Sequence, residues 1–216
     1  MNFPALLIEI ICLLASVNLF LQASIPKYLK SFSFFIALTI IIEITGYELR
    51  KHVFTVNLLY CFFTAFEFVY YLLIIRFIIY NQKAKRIIFW VMIVYPILVT
   101  INVFFIQPGT FHTITYSLGC LLVVLACIYY FFEIFRITHS VNLVKEPAFW
   151  LCTGLLFFYS CSLPLFGLWN QLHGLPKILI KNLRAIQTIL NLLLYSLFSI
   201  AFLCRTNLKK NKAKLV

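Results

Sequence analysis

The segment Phe54–Ile75, FTVNLLYCFFTAFEFVYYLLII, decides the fold class of this chain. Its only charged residue is Glu67, and nearly every other residue is aliphatic or aromatic. An α-helix needs roughly 20 mainly apolar residues to cross a hydrocarbon core of ~30 Å, and this segment is that long. The pattern is therefore typical of a transmembrane helix.

Comparable apolar segments occupy most of the 216 residues. They lie near 4–22, 32–47, 54–75, 87–106, 114–135, 149–168 and 178–204. The chain is 63% hydrophobic and 11% charged, whereas about a quarter of the residues in a soluble domain are charged. We predict an all-α, polytopic bundle of seven transmembrane helices, with residues 1–204 as one transmembrane domain and 205–216 as a basic cytoplasmic tail.

The basic residues predict how the bundle is oriented. Thirteen of the 18 Lys and Arg residues fall in the alternate connections and the tail that lie opposite the N-terminus, and five fall on the N-terminal side. Lys and Arg in short loops are enriched on the cytoplasmic side of a membrane. We therefore expect the N-terminus outside, the C-terminus inside, and a multi-pass location in the cytoplasmic (inner) membrane.

Two predicted helices carry polar residues at helical spacing. Intervals of 3, 4, 3 and 4 separate those of the third helix, which are Asn57, Tyr60, Thr64, Glu67 and Tyr71. The same intervals separate those of the seventh, which are Lys181, Arg184, Thr188, Asn191 and Tyr195. This spacing puts each set on one narrow face, and polar faces in membrane helices turn toward the bundle interior.

Helical rise sorts the polar residues into two layers. At 1.5 Å per residue, one layer lies within ~10 Å of the outer boundary. It comprises Glu9, Glu43, Asn57, Lys181 and Arg184. We expect ion pairing in this layer, with Arg184 beside Glu43 or Glu9. The layer has three interpretations: it locks the helices together, it forms an outward-facing pocket for a small polar or anionic ligand, or its basic side chains extend to the interface.

Glu67 belongs to a deeper layer, ~20 Å below the outer edge, together with Asn191 and Tyr195. No basic residue is predicted at that depth, and loss of hydration favours the neutral carboxyl, so we expect Glu67 to be protonated. Such a group either carries a proton or a cation, or belongs to a structural polar network. Nearer the inner end, Glu133 is expected to pair with Arg136 or Arg76.

The residue inventory argues against several chemistries. The chain has no Asp, and its four His residues lie in predicted connections or at helix ends, which leaves core Ser and Cys residues without a catalytic base. His52, His112 and His173 map to the outer side and could suggest zinc, but solvated loop histidines are the preferred interpretation. We predict no catalytic set, no metal site, no cofactor and no nucleic-acid binding.

The last third of the chain carries a family resemblance. Residues Pro147–Trp150, Gly154–Tyr159 and Asn191–Tyr195 read PAFW, GLLFFY and NLLLY. They resemble small, uncharacterised seven-helix bacterial integral membrane proteins, some of which accompany signalling systems. The chain differs from microbial rhodopsins, which carry a retinal Lys midway along the seventh helix, since Lys181 lies near the outer start of that helix. It also lacks the His and Asp residues of alkaline-ceramidase-like hydrolases.

These observations favour a sensor or small-ligand-binding component. The bundle leaves little chain for an effector domain, so we expect a separate membrane or cytoplasmic effector protein in addition to membrane lipids. The mouth of the cavity would contain Glu9, Glu43, Lys181 and Arg184, and the deeper network Glu67, Asn191 and Tyr195. The alternative is a proton- or cation-coupled transporter that uses Glu67, and a lipid-modifying intramembrane enzyme is the third hypothesis.

Overall fold

A computed structural model of the chain describes residues 3–17, 26–136, 143–167 and 177–204. Within these ranges the secondary structure is helical and no strand is present. The predicted basic tail 205–216 lies outside the described residues, as do the end of the first predicted span (18–22) and His173.

The described ranges form seven α-helices. Their bounds are α1 Phe3–Val17, α2 Lys27–Glu48, α3 Val53–Ile78, α4 Gln82–Ile101, α5 Thr113–Arg136, α6 Pro147–Gly167 and α7 Lys177–Leu203. Three shorter turns accompany them: a 3₁₀ turn at Leu49–Lys51, a π-helical turn at Asn102–Ile106 that continues α4, and a 3₁₀ turn at Leu143–Lys145. The all-α class predicted from the sequence is confirmed.

Six of the described helices, α2 to α7, are apolar and long enough to cross a membrane. The first is shorter, since its apolar part covers Pro4–Val17. At 1.5 Å per residue, the 15 residues of α1 extend about 22 Å, less than the ~30 Å of a hydrocarbon core. The chain is therefore a multi-pass helical membrane protein. That α1 also crosses, and that the N-terminus lies outside, stay predictions.

The helices pack in an order that encloses a centre. Going round, α1 contacts α2, α2 contacts α3, α3 contacts α5, α5 contacts α6, α6 contacts α7, and α7 contacts α1. The remaining helix, α4, packs against α3 and α5. Its outward face is apolar, with Ile87, Trp90, Ile97 and Ile101 exposed. Lipid tails can cover such a face at no cost, so large exposed apolar side chains are expected here.

Aromatic side chains fill much of the enclosed centre. The Phe32 ring of α2 meets Phe198 of α7 at 4.9 Å between centroids, edge to face. Tyr159 of α6 lies 5.1 Å from Phe68 and 5.8 Å from Tyr71, both of α3. Aromatic pairs at such separations contribute about 0.5–1.5 kcal/mol beyond the area that they bury. The contacts therefore connect four of the helices through one cluster of rings.

The turn between α3 and α4 uses Glu133 in a way that the sequence did not predict. The two carboxyl oxygens of Glu133 accept hydrogen bonds from the backbone N–H groups of Tyr80 and Asn81, each at 2.7 Å. Arg76 instead donates from Nε to the Lys85 carbonyl at 3.2 Å, and Arg136 lies over the Phe132 ring. The expected pairing of Glu133 with either arginine was wrong, because the free N–H groups before α4 are better placed donors.

Gly119 provides a test of this packing. A Cβ at Gly119 would lie 2.6 Å from both the Phe68 ring and the Tyr95 hydroxyl, whereas a Cβ at Gly154 would lie 3.3 Å from Leu194. We expect Gly119→Ala to lower the free energy of unfolding by about 1–3 kcal/mol through overpacking, measured by thermal unfolding in detergent. Gly154→Ala gains the same helix propensity and is the matched control; equal stability of the two variants would contradict the packing.

Candidate functional site

The polar residues along one face of α3 make contacts with two different parts of the structure. In the N-terminal half of α3, the Asn57 side chain donates to the Gly109 carbonyl at 3.1 Å, and Thr64 Oγ1 lies 2.8 Å from His112 Nε2. Both partners belong to the connection between α4 and α5. In its C-terminal half, the Tyr71 hydroxyl donates to Glu67 Oε1 at 3.0 Å. The C-terminal half of this polar face therefore lies at the bundle centre, and Asn57 has a structural partner away from α7.

Glu67 lies among tyrosines from several helices. Besides Tyr71, its neighbours are Tyr116 of α5, Tyr159 of α6 and Tyr195 of α7. Glu67 as a whole residue is partly buried, its carboxyl group is enclosed, and the Tyr71 and Tyr159 side chains are fully buried. The Tyr159 hydroxyl faces the Glu67 carboxyl, yet among the described residues it has no hydrogen-bond partner of acceptable geometry. The Glu67 carboxyl is therefore a polar group inside a largely aromatic core.

Glu9 lies deeper in the bundle than helical rise alone predicted. Its side chain is 3% exposed, and the Tyr195 hydroxyl lies within hydrogen-bonding reach of its carboxyl. One turn further along both helices, Cys12 of α1 meets Ser199 of α7. Tyr195 follows Lys181 by about 21 Å of helix, so Glu9 does not share the level of Lys181 and Arg184. It belongs to the layer of Glu67 instead.

The electrostatic surroundings of Glu9 are acidic. Among the described residues, the carboxyls of Glu43 and Glu67 act on it, where the sequence predicted a cationic neighbour. Its Oε2 atom is buried and has no hydrogen-bond partner in that part of the chain. Glu43, on α2, is exposed but close enough to interact with both of the other carboxyls. The helices α1, α2 and α3 therefore each carry one carboxyl of a group that interacts electrostatically.

The polar α7 residues predicted from the sequence become more buried toward the C-terminal half of the helix. Lys181 and Arg184 are exposed in its N-terminal half, Asn191 is partly buried, and Tyr195 is buried against Glu9. Gln187 was not predicted from the sequence, although its Oε1 atom is buried with no partner in the described part of the chain. The spacing could have indicated it, because a polar residue recurs every four positions on one face of α7, at Gln187, Asn191, Tyr195 and Ser199.

His112 forms a second polar cluster, in the connection between α4 and α5. Its ring is completely buried, with Nδ1 2.8 Å from Thr115 Oγ1 and Nε2 2.8 Å from Thr64 Oγ1. Burial lowers the pKa of His112 to about 4, so the ring is neutral at pH 7. The expectation of a solvated loop histidine was wrong here. The described residues contain no group of three His, Cys or Glu side chains arranged to hold a metal ion.

The His112 cluster extends to the π-helical end of α4. The Asn102 side chain donates to Thr115 Oγ1 and to Gln107 Oε1, each at 3.0 Å, and Gln107 donates to Thr113 Oγ1 at 3.0 Å. These bonds tie the end of α4 to the start of α5. Asn102 Oδ1 is the one atom of this network that is buried without a partner among the described residues. A buried network with most of its members hydrogen-bonded rigidifies the segment that contains it. We therefore assign this cluster a structural role beside the central site.

Acidification tests the assignment of His112. A histidine whose pKa is depressed in the folded state binds its proton more readily when unfolded, so stability falls as pH drops from about 6.5 toward 4. The adjacent titratable groups, Cys61 and Tyr116, are neutral throughout this range. We expect His112→Gln to remove most of this pH dependence of the unfolding midpoint, with exposed His52→Gln as control. An unchanged pH profile in His112→Gln would contradict the assignment.

Comparison with known proteins identifies no relative of this chain. No protein-family model, no curated protein and no solved structure matches the chain. The resemblance to small bacterial seven-helix proteins stays a prediction from the sequence.

Proposed function

We propose that this membrane protein binds a small ligand at the bundle centre and acts as a sensor component for a separate effector protein. The central observation is a pair of carboxyls inside the bundle, Glu9 beside Tyr195 and Glu67 hydrogen-bonded by Tyr71, that are close enough to interact with each other. Ionisable side chains within a membrane bundle are costly and usually mark a functional site. In this proposal the N-terminus lies outside and the protein resides in the inner membrane.

The remaining residues define an approach to the centre. Lys181 and Arg184 are exposed near the N-terminal end of α7, and Glu43 is exposed near the C-terminal end of α2. Asn191 is partly buried one turn from Tyr195. A ligand would enter past these side chains and meet Glu67 and Tyr195 at the base. Polar groups at the base of an apolar cavity fix the orientation of a ligand, as they do in most binding sites.

The effector partner is proposed from the connections between helices. The described connections at 49–52, 79–81 and 107–112 are short, and most of their residues are exposed. In this proposal, another protein responds to a ligand-dependent change in these segments or in the helices. Copurification in mild detergent tests this: we expect a second membrane or cytoplasmic protein to accompany the chain.

Glu67→Gln tests the ligand site. Purified protein would be screened by thermal unfolding in detergent against amines, amino acids, organic acids and sugars. We expect at least one class to raise the unfolding midpoint of the wild type, and the shift to be lost in Glu67→Gln, because the amide can neither give up a proton nor become charged when the ligand binds. The control is Glu48→Gln, at the exposed end of α2. Equal shifts in all three proteins would contradict the proposal.

A coupled transporter is the second candidate function. The observation that favours it is a carboxyl inside the bundle, that of Glu67, with tyrosine hydroxyls and a second carboxyl close enough to interact with it. Uptake by vesicles containing only the purified chain, dependent on a pH gradient and abolished by Glu67→Gln, would replace the sensor proposal. Ligand binding without uptake would favour the sensor.

A further inference from the structure

We infer that an anionic phospholipid binds at the corner of the bundle where α3 ends and α4 begins, with its headgroup on basic side chains and its acyl chains along α4. The inference is independent of the central site. It follows from three features of this corner: where its basic residues lie, which partners they have, and the apolar surface that continues from them.

All Lys and Arg residues of α3, α4 and α5 lie at one end of these helices. They form the basic corner, which comprises Arg76, Lys83, Lys85, Arg86 and Arg136. The chain contains no Lys or Arg between 52 and 75 or between 87 and 135, so the opposite end of the three helices has none. Like charges gathered in one place repel each other, and an anion among them is attracted by each. The basic corner therefore favours an anionic partner.

Arg76 is held against the start of α4. Its Nε donates to the Lys85 carbonyl at 3.2 Å, and its guanidinium lies 5.0 Å from the centre of the Phe89 ring. An arginine guanidinium has five N–H donors in a planar fork that matches a phosphate group. Among the described residues only the Nε–H of Arg76 has a hydrogen-bond partner, so its two terminal nitrogens can donate to two oxygens of one phosphate.

The acidic side chains at this end leave the basic corner positive. Glu133 lies one turn before Arg136 on α5, but its two oxygens accept hydrogen bonds from backbone N–H groups of the turn before α4, each at 2.7 Å. Glu146, at the start of α6, is the other carboxyl that acts on this turn. In the ranges that the structure describes, neither carboxyl forms an ion pair with a member of the basic corner. The five cations are therefore available to an anion from outside the chain.

An exposed apolar stripe of α4 begins at the basic corner. Intervals of 4, 3, 4, 3 and 4 separate the exposed residues of this face, which are Lys83, Ile87, Trp90, Val94, Ile97 and Ile101. Arg86 is exposed beside them, one turn before Trp90. At 1.5 Å per residue, the part from Trp90 to Ile101 extends about 16 Å, which is close to one leaflet of a ~30 Å hydrocarbon core.

The apolar stripe identifies the source of the anion. A phospholipid whose phosphate binds Lys83 and Arg86 can lay its acyl chains along the same face of α4, whereas a free inorganic anion makes no use of that face. Clusters of Lys and Arg at the end of a membrane helix bind anionic headgroups for this reason. A zwitterionic lipid carries its own cation beside the phosphate and is attracted less. The occupant is therefore a lipid with a net negative headgroup.

Trp90 reports which lipid lies against this face, since its side chain is 59% exposed. Trp150→Phe and Trp169→Phe make it the sole tryptophan of the full chain. The protein is reconstituted in phosphatidylcholine bilayers with increasing fractions of brominated phosphatidylglycerol or brominated phosphatidylcholine, whose bromine atoms quench an adjacent tryptophan. We expect the phosphatidylglycerol to be preferred at Trp90 about fivefold or more, as basic residues near a lipid surface can produce. High salt should reduce this preference by screening the charges.

Lys83→Gln combined with Arg86→Gln tests the assignment to the basic corner. Both side chains are exposed, so the protein should stay folded while the preference for phosphatidylglycerol at Trp90 disappears. The matched control is Lys181→Gln combined with Arg184→Gln, which removes two exposed basic side chains of α7 and should keep the preference.

Moving the reporter tests the location without altering the basic corner. Phe105 is 81% exposed at the other end of α4, so Phe105→Trp combined with Trp90→Phe reports the lipid there. We expect brominated phosphatidylglycerol and brominated phosphatidylcholine to quench this tryptophan about equally, because α3, α4 and α5 carry no Lys or Arg at that end. This comparison decides the question even if a Gln variant does not fold.

Several outcomes would overturn the inference. Equal quenching by the two lipids at Trp90 is one, and a preference that survives Lys83→Gln with Arg86→Gln is another. The same preference at Phe105→Trp would indicate a general enrichment of anionic lipid around a cationic protein. Inorganic phosphate, added at matched ionic strength, should leave the quenching unchanged; displacement of the brominated phosphatidylglycerol by phosphate would identify a site for a free anion instead. None of these results bears on the ligand proposed for the bundle centre.

Discussion

The cost of placing a carboxyl group in hydrocarbon organises this molecule. Lipid offers no hydrogen bonds, so a polar side chain in a membrane helix must find partners inside the bundle. Glu67 finds Tyr71, and Glu9 lies beside Tyr195. The outward surfaces of the same helices carry Phe, Leu and Ile instead, such as Phe66 on α3 and Leu7 on α1. The arrangement of helices around the centre follows from this division.

Residue spacing predicted part of the site. Glu67 and Tyr71 are four residues apart and hydrogen-bond as that spacing requires, and Tyr195 lies among the neighbours of Glu67. The depth of Glu9 could not be predicted, because it depends on how far α1 slides along α7. Apolar helices offer many registers of similar energy, and only side-chain packing selects one. The Cys12–Ser199 contact marks the register that the structure adopts.

The connections were harder to predict than the helices. Glu133 was expected to pair with an arginine, but its carboxylate accepts hydrogen bonds from two backbone N–H groups that have no helical partner in the turn before α4. His112 was expected to be solvated, but the π-helical turn at Asn102–Ile106 and its hydrogen bonds enclose it. Both outcomes depend on the path of a short loop, and residue type alone does not encode that path.

The most direct measurement of the central claim is the accessibility of α3 to collisions in the membrane. The seven native cysteines would be replaced, and nitroxides attached to Phe66→Cys and Glu67→Cys in bilayers. Phe66 faces outward, and Glu67 faces the tyrosine cluster. Collision with lipid-dissolved oxygen should therefore be frequent at position 66 and rare at position 67. Equal oxygen collision rates at the two positions would place Glu67 against lipid and contradict the enclosed site.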